Sequence, residues 1–213
     1  MALSRHHRIA LVGACATSAI ALGDAVVHGL TGDNSVFSDD SGRSALIALG
    51  GIVHGLTYVA LAAVLVAERV RFVGTNLVAR GARWVLMGGL AVLAIGFLLV
   101  VPVLAFAGQP EGAVGAAWAG TATVGFLAMI LGSLTLGLAL LRTSALGVGA
   151  RVLAMMLPVA GLTALVAYAA PSWAHPAYVE TTLHFGIALL GVSASRVAQP
   201  PKRAATASPT AAV

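Results

Sequence analysis

The chain has 213 residues, of which 59% are hydrophobic and only 9% are charged, and its formal net charge is +5. Soluble domains carry about 25% charged residues, so this composition excludes a soluble globule, a disordered protein, a collagen and a disulfide scaffold. The single cysteine, Cys15, excludes an intramolecular disulfide. The class that remains is a membrane protein whose chain crosses the bilayer several times.

Six apolar runs follow one another along the chain, and each is long enough to cross a bilayer core of about 30 Å as a helix. Backbone groups in lipid need internal partners, and the runs lack the alternation of barrel strands, so we predict helices. The predicted spans are residues 9–30, 44–68, 84–107, 113–141, 145–170 and 177–198. The predicted fold is therefore all-α: one compact bundle of six transmembrane helices over residues 1–198, followed by a disordered tail over 199–213.

Basic residues predict the orientation, because cytoplasmic loops carry an excess of Lys and Arg. In a six-span arrangement every basic residue except Arg43 falls on one side, which also holds both termini. Arg43 falls on the other side together with acidic residues, among them Asp33, Asp39, Asp40 and Glu111. We therefore expect a protein of the cytoplasmic (inner) membrane with both termini in the cytoplasm. Since the basic residues act as topology signals, we expect the lipid bilayer as a partner and no nucleic acid.

Carboxylates and histidines inside the spans are confined to the first, second and sixth. Such residues are costly, at about 2.5–3.5 kcal/mol for an Asp at a helix centre, and they usually face the bundle interior. Residues four apart share a helix face, and each of these three spans carries one such polar pair. The pairs are Asp24 and His28, His54 and Tyr58, and Glu180 and His184.

Depth in the membrane decides whether these pairs meet. A rise of about 1.5 Å per residue places Asp24 and His184 at similar depth, with His54 somewhat deeper. We predict that these three residues meet in one layer of the outer half of the bundle. The predicted rim above the layer contains His28, Glu180 and His175.

Imidazoles and carboxylates in one pocket suit a divalent transition metal such as Zn, Cu or Fe(II). We predict Asp24, His54, His184 and His28 as metal ligands. Asp24 and Glu180 are the predicted catalytic residues, acting as general bases toward bound water in a hydrolytic centre. His54 and His184 are alternatively predicted to bind a cofactor, as the two axial ligands of a haem in an electron carrier.

Two other functions stay open. Asp24 and Glu180 suit a proton-coupled transporter of a small solute, because buried carboxylates beside histidines exchange protons. A non-catalytic membrane partner or assembly factor would use the same polar residues as scaffolding. The protein's partner is then a second copy of itself or another membrane protein.

Two further patterns bear on helix packing. Gly51 and Gly55 lie four apart in the second span, which predicts a close approach of another helix. Pro102 in the third span and Pro158 in the fifth predict kinks, because proline lacks an N–H and crowds the preceding turn.

Overall fold

The structure, a computed structural model, describes residues 3–33, 35–36, 42–107, 112–143 and 146–193. Every regular element in these residues is helical, which confirms the all-α class. The elements are α1 (Arg5–Thr31), α2 (Ser44–Ala67), α3 (Arg69–Val73), α4 (Leu77–Ile95), a π-helical segment (Gly96–Val100), α5 (Val101–Ala107), α6 (Ala113–Leu140), α7 (Gly147–Ala154), α8 (Met156–Ala169), a 3-10 turn (Pro171–Trp173) and α9 (Ala177–Ala188). The predicted tail 199–213 lies outside the described residues, as do Asp39, Asp40 and Glu111.

Five helical stretches are long and apolar enough to cross a membrane, and they correspond to the first five predicted spans. They are Arg5–Thr31, Ser44–Ala67, Leu77–Ala107, Ala113–Leu140 and Gly147–Ala169. Their outward faces carry large apolar side chains such as Val12, Val103 and Phe106. Exposed apolar area on this scale suits lipid rather than water. The chain is therefore a multi-pass membrane protein.

Pro102 interrupts the regular helix of the third span. Its ring crowds the carbonyl of Leu98, four residues earlier, and it has no N–H to donate there. The helix widens into the π-helical segment Gly96–Val100, in which the backbone N–H of Val101 donates to the Gly96 carbonyl. Such π-helical turns are frequent at functional sites.

Pro158 interrupts the fifth span in a similar way. The carbonyl that its ring crowds belongs to Ala154, and α7 ends at that residue. After a turn at Met155 the helix resumes as α8, whose only buried residue is Met156. Both predicted proline distortions are thus present, and α8 lies at the periphery of the bundle.

The helix α9 lies at the centre, in contact with α1, α2, α6, α7 and α8. It has 12 residues, or about 18 Å at the usual rise, so the helix predicted over 177–198 ends earlier than expected. After Ala188 the chain turns, and the Gly191 N–H donates to the Leu146 carbonyl (2.8 Å) in the loop before α7. Gly191 has a φ of +84°, the left-handed conformation that favours glycine at helix ends. Residues 194–198 lie outside the described residues.

The segment that contains α9 runs beside α1 along most of the length of α1. Near the end of α1, the Trp173 indole packs on Gly29 so closely that a Cβ would not fit. Near the start of α1, His7 Nε2 donates to the Leu190 carbonyl (2.7 Å). From His7 to Gly29 the helix rises by about 33 Å. Since Trp173 packs on Gly29 and His175 Nε2 lies 3.3 Å from Asp24 Oδ2, the chain already runs beside α1 before α9 begins.

The two ends of the bundle differ in charge. The start of α1, the end of α2 and the whole of α3 share one end, called the basic end below. Its arginines include Arg5, Arg8, Arg69 and Arg71, and the Arg83 guanidinium donates to the Leu65 carbonyl there (3.1 Å). The opposite end holds the end of α1 and the start of α2.

Candidate functional site

A buried group of polar side chains, called the central cluster, lies where α1, α2 and α9 meet. The Tyr58 hydroxyl of α2 donates to Glu180 Oε1 of α9 (3.1 Å). The same oxygen lies 3.6 Å from His184 Nε2, one turn further along α9. His184 Nδ1 lies 3.3 Å from Thr17 Oγ1 of α1. Tyr58 is 0% exposed and His184 1%, whereas the Glu180 side chain is 20% exposed.

His184 lies between a hydroxyl and a carboxylate. The Thr17 hydroxyl, which donates to the Gly13 carbonyl (2.8 Å), lies 3.3 Å from His184 Nδ1. On the other side of the ring, the buried Nε2 faces the Glu180 carboxylate. A neutral imidazole carries one proton, on Nδ1 or on Nε2, and a second proton converts it into an imidazolium that pairs with the carboxylate.

Asp24 belongs to a separate pair nearer the opposite end. Its Oδ1 accepts a hydrogen bond from the Ser35 backbone N–H (2.8 Å), and its Oδ2 lies 3.3 Å from His175 Nε2. Asp24 is seven residues beyond Thr17 on α1, or about 10 Å, and Thr17 marks the level of His184. The expected match in depth between Asp24 and His184 is therefore not found, because the chain already runs beside α1 before α9 begins.

His54 lies beside Tyr58, one turn earlier on α2. The rings of His54 and Tyr58 have centroids 6.3 Å apart, and those of Tyr58 and His184 are 5.7 Å apart. His54 Nδ1 donates to the Gly50 carbonyl (2.9 Å), which leaves Nε2 as the lone-pair nitrogen of the neutral ring. The His54 ring stacks on Phe97, which the π-helical segment carries (5.5 Å between centroids).

An apolar cavity of about 560 Å³ lies beside Phe97, between α2, α5 and α6. Phe97, Trp118 and Phe126 form an aromatic part of its wall, and Gly42 and Ser44 line it at the start of α2. Ligand sites are commonly cavities of about 300–1,000 Å³ with mainly apolar walls. The cavity is therefore of a size to hold a small apolar molecule.

The predicted metal ligands Asp24, His54, His184 and His28 do not form one ligand group in this structure. Among the described residues, the one set of three or more such ligand atoms within 4.8 Å of one another lies elsewhere. His28 Nδ1 is buried without a hydrogen-bond partner. Metal or haem binding by these four residues stays a prediction.

The set that does converge was missed by the sequence analysis: His6, His7 and Glu68 at the basic end. His6 Nε2 lies 3.5 Å from Glu68 Oε1, and His7 Nε2 lies 3.9 Å from it. The histidines precede the first predicted span and Glu68 ends the second, so spacing within one helix does not link them. The one signal in the sequence is the histidine doublet itself, between Arg5 and Arg8.

No protein-family model, curated protein or solved structure matches this chain. The chemistry of the site therefore follows from its own side chains. A carboxylate, a phenol and an imidazole in contact can hold and exchange protons. An imidazole whose Nδ1–H is fixed by a carbonyl, as in His54, presents Nε2 in the way that metal-bound histidines do.

Proposed function

We propose that this protein is a proton-coupled transporter of a small solute, with Glu180 and His184 as its proton-binding pair. We further propose that it crosses the cytoplasmic (inner) membrane six times over residues 1–198, with both termini and the tail 199–213 in the cytoplasm. The observation that carries the function is the contact between His184 Nε2 and Glu180 Oε1 at 3.6 Å, which places a buried imidazole beside a carboxylate, two groups that can each bind and release a proton.

Proton binding at this pair changes the charge of a buried interface between helices. With a proton on His184, the imidazolium and the Glu180 carboxylate attract each other, and Tyr58 adds a donor to the same carboxylate. Without it, a neutral imidazole faces the carboxylate in a site that excludes water from His184. The packing of α9 against α1 and α2 therefore has different energies in the two states, which is the requirement for coupling a proton to a movement.

The burial around the pair favours a transporter over an open proton channel. The Glu180 side chain is 20% exposed, whereas Ala10 and Ala14, which follow the α1 face toward the basic end, are buried and apolar. About 15 Å of helix separates Thr17 from His7. A proton bound at His184 thus needs a second conformation to leave at the basic end.

The apolar cavity supports a small solute as the cargo. Its aromatic wall includes Phe97, which contacts both His54 and Tyr58, with ring centroids 5.5 and 5.7 Å away. A change in the central cluster is thereby in direct contact with the cavity wall. The π-helical segment that carries Phe97 is a local irregularity of the kind that is frequent at functional sites.

The contacts of α1 support a sixth crossing. Trp173 contacts Gly29 and Leu190 contacts His7, so the intervening chain extends over about 33 Å beside a spanning helix. This is the thickness of a bilayer core. The arginines at the basic end support a cytoplasmic location for that end.

A metal- or haem-dependent activity at His54 and His184 is the second candidate, with Asp24 and Glu180 as the catalytic carboxylates. The observation in its favour is the orientation of the two imidazoles, whose Nδ1 atoms contact Gly50 O and Thr17 Oγ1. A Soret absorbance in the purified protein, or a transition metal in elemental analysis that His54→Ala removes, would favour it over transport. A protein without cofactor and without proton uptake would instead favour an assembly factor.

The experiment for the first proposal is proton uptake in vesicles. Purified protein is reconstituted into liposomes that contain a pH-sensitive dye, and a membrane potential, negative inside, is imposed with potassium and valinomycin. We expect internal acidification that depends on the protein and increases when small apolar solutes are supplied in a screen. Glu180→Gln should abolish the acidification, because an amide cannot release a proton.

Asp33→Asn is the matched control, since Asp33 is an exposed acidic residue outside the central cluster. It should leave acidification unchanged. Equal acidification by the wild type and Glu180→Gln would overturn the assignment of the proton-binding pair. The transport proposal would be overturned if the wild type elutes as a folded species but causes no acidification with any solute.

A further inference from the structure

His6, His7 and Glu68 meet at the basic end, where α1 begins and α2 ends. One nitrogen of each imidazole and one oxygen of the carboxylate lie within 4.8 Å of one another. The imidazole centroids are 4.3 Å apart, with the rings tilted by 40°. The group is distinct from the central cluster, about 15 Å away along α1.

The two imidazoles direct nitrogens toward a common point. The Ser4 hydroxyl contacts both His6 Nε2 (2.9 Å) and His7 Nδ1. A hydroxyl has one proton, so it can donate to only one of these nitrogens. His7 Nε2 donates to the Leu190 carbonyl, which fixes His7 with its lone pair on Nδ1. A histidine held by a backbone carbonyl in this way has the usual geometry of a metal ligand.

The carboxylate is oriented by its own neighbours. The Arg71 guanidinium donates to Glu68 Oε2, so Oε1 is the oxygen that faces the imidazoles, 3.5 Å from His6 Nε2. The His7 nitrogen nearest to it is Nε2 (3.9 Å), which donates to Leu190, so an ion held by His7 Nδ1 requires a small shift of the carboxylate. Gly191 packs against the carboxylate so closely that a Cβ would not fit. The Glu68 side chain is only 12% exposed. The third donor is thus held next to the two imidazoles.

We propose that His6, His7 and Glu68 bind one divalent transition metal ion, with Zn²⁺ as the ion that the donor set fits. Two imidazoles and one carboxylate are typical zinc ligands, and they do not suit Mg²⁺ or Ca²⁺, which prefer oxygen alone. The Ser4 hydroxyl or a water molecule completes four-fold coordination. The ion links the start of α1 to the end of α2 and, through His7 and Leu190, to the turn after α9.

The test is metal binding by the full chain in lipid nanodiscs, purified without an oligohistidine tag. Zn²⁺ is titrated by calorimetry, and Co²⁺ is titrated as a spectroscopic probe whose visible absorbance reports tetrahedral coordination by nitrogen and oxygen. We expect one ion per chain and a Zn²⁺-dependent rise in Tm, since an ion that binds only the folded state stabilises it. His6→Ala and Glu68→Gln should each weaken Zn²⁺ binding by about tenfold or more.

His175→Ala and Asp33→Asn are the matched controls, because both residues lie away from the basic end and outside the central cluster. They should bind Zn²⁺ like the wild type. His6 is 31% exposed, so its replacement should leave the protein folded, and an unchanged elution profile and Tm without metal would verify this. Absence of Zn²⁺ binding in the wild type would overturn the proposal, as would binding that survives both basic-end variants or is lost in the controls. Proton uptake is measured separately, so either proposal can fail alone.

Discussion

The hydrogen bond from Tyr58 to Glu180 is the contact of the central cluster whose strength can be worked out most directly. Tyr58 is 0% exposed and its hydroxyl lies 3.1 Å from Glu180 Oε1. Side-chain hydrogen bonds between membrane helices average about 0.6 kcal/mol, with a maximum of about 1.7. Hydrogen bonds to charged groups contribute about 1.5–3 kcal/mol. Because the donor is fully buried and the acceptor is a partly buried carboxylate, we expect about 1.5 kcal/mol for this pair.

A double-mutant cycle measures this energy. Tyr58→Phe removes the donor, Glu180→Met removes the acceptor at similar volume, and the double variant removes both. The free energy of unfolding is obtained from SDS-driven unfolding in mixed micelles, followed by circular dichroism. The coupling energy is the difference between the double variant's loss of unfolding free energy and the sum of the losses in the two single variants.

Tyr168→Phe is the control, because Tyr168 is 90% exposed on α8. It should change the free energy of unfolding by less than about 0.5 kcal/mol. A coupling close to zero between Tyr58 and Glu180 would refute the reasoning, because it would mean that these residues do not share a hydrogen bond. A Tyr58→Phe variant as stable as Tyr168→Phe would lead to the same conclusion.

Two further predictions concern packing and orientation. A side chain at Gly149 would meet the backbone of the turn after α9, whereas Gly161 faces open space. In the same SDS assay, Gly149→Leu should therefore lower the free energy of unfolding by about 1–3 kcal/mol or more, and Gly161→Leu should leave it unchanged. In a Cys15→Ser background, Asp33→Cys should react with a membrane-impermeant maleimide in intact cells, and Thr143→Cys only after lysis. The reverse labelling pattern would contradict the proposed orientation.

Helix-local features of the fold could be predicted from the sequence because the geometry that produces them is local. Residues four apart on a helix meet, so the spacing of Glu180 and His184 was enough to predict their contact. Gly51 and Gly55 were expected to admit a neighbouring helix, and they pack against the segment that contains Leu98 and Val101. The lengths of the apolar runs likewise predicted the first five spans.

Contacts between helices could not be predicted in the same way, because they depend on how deep each helix lies. The partner of Asp24 is His175 rather than His184. The reason is that the chain lies beside α1 from Trp173 onward, where Trp173 packs against Gly29, so that it is already next to α1 before α9 begins. Nothing in the local sequence signals this offset, since an apolar loop residue and an apolar span residue look alike.

The convergence at the basic end depends on three helix ends at once. His6 and His7 reach Glu68 only because α1 and α2 are antiparallel and end at the same level. The turn after α9 then closes the group from a third direction, through Leu190. Residues on different helices, this far apart in the sequence, cannot be linked by an argument from spacing within one helix.

The two proposals are linked through His7, which joins the metal-binding group to the end of α9. A metal ion on Nδ1 of this histidine would make its Nε2–H a stronger donor to the Leu190 carbonyl, and so would stabilise the contact of α9 with α1. The proposed transport step requires that same end of the bundle to open, because Ala10 and Ala14 block the path from the central cluster. Zn²⁺ at the basic end would therefore hold the protein in the conformation seen here. Proton binding at Glu180 and His184 and metal binding at His6, His7 and Glu68 would then act on one movement, that of α9 against α1.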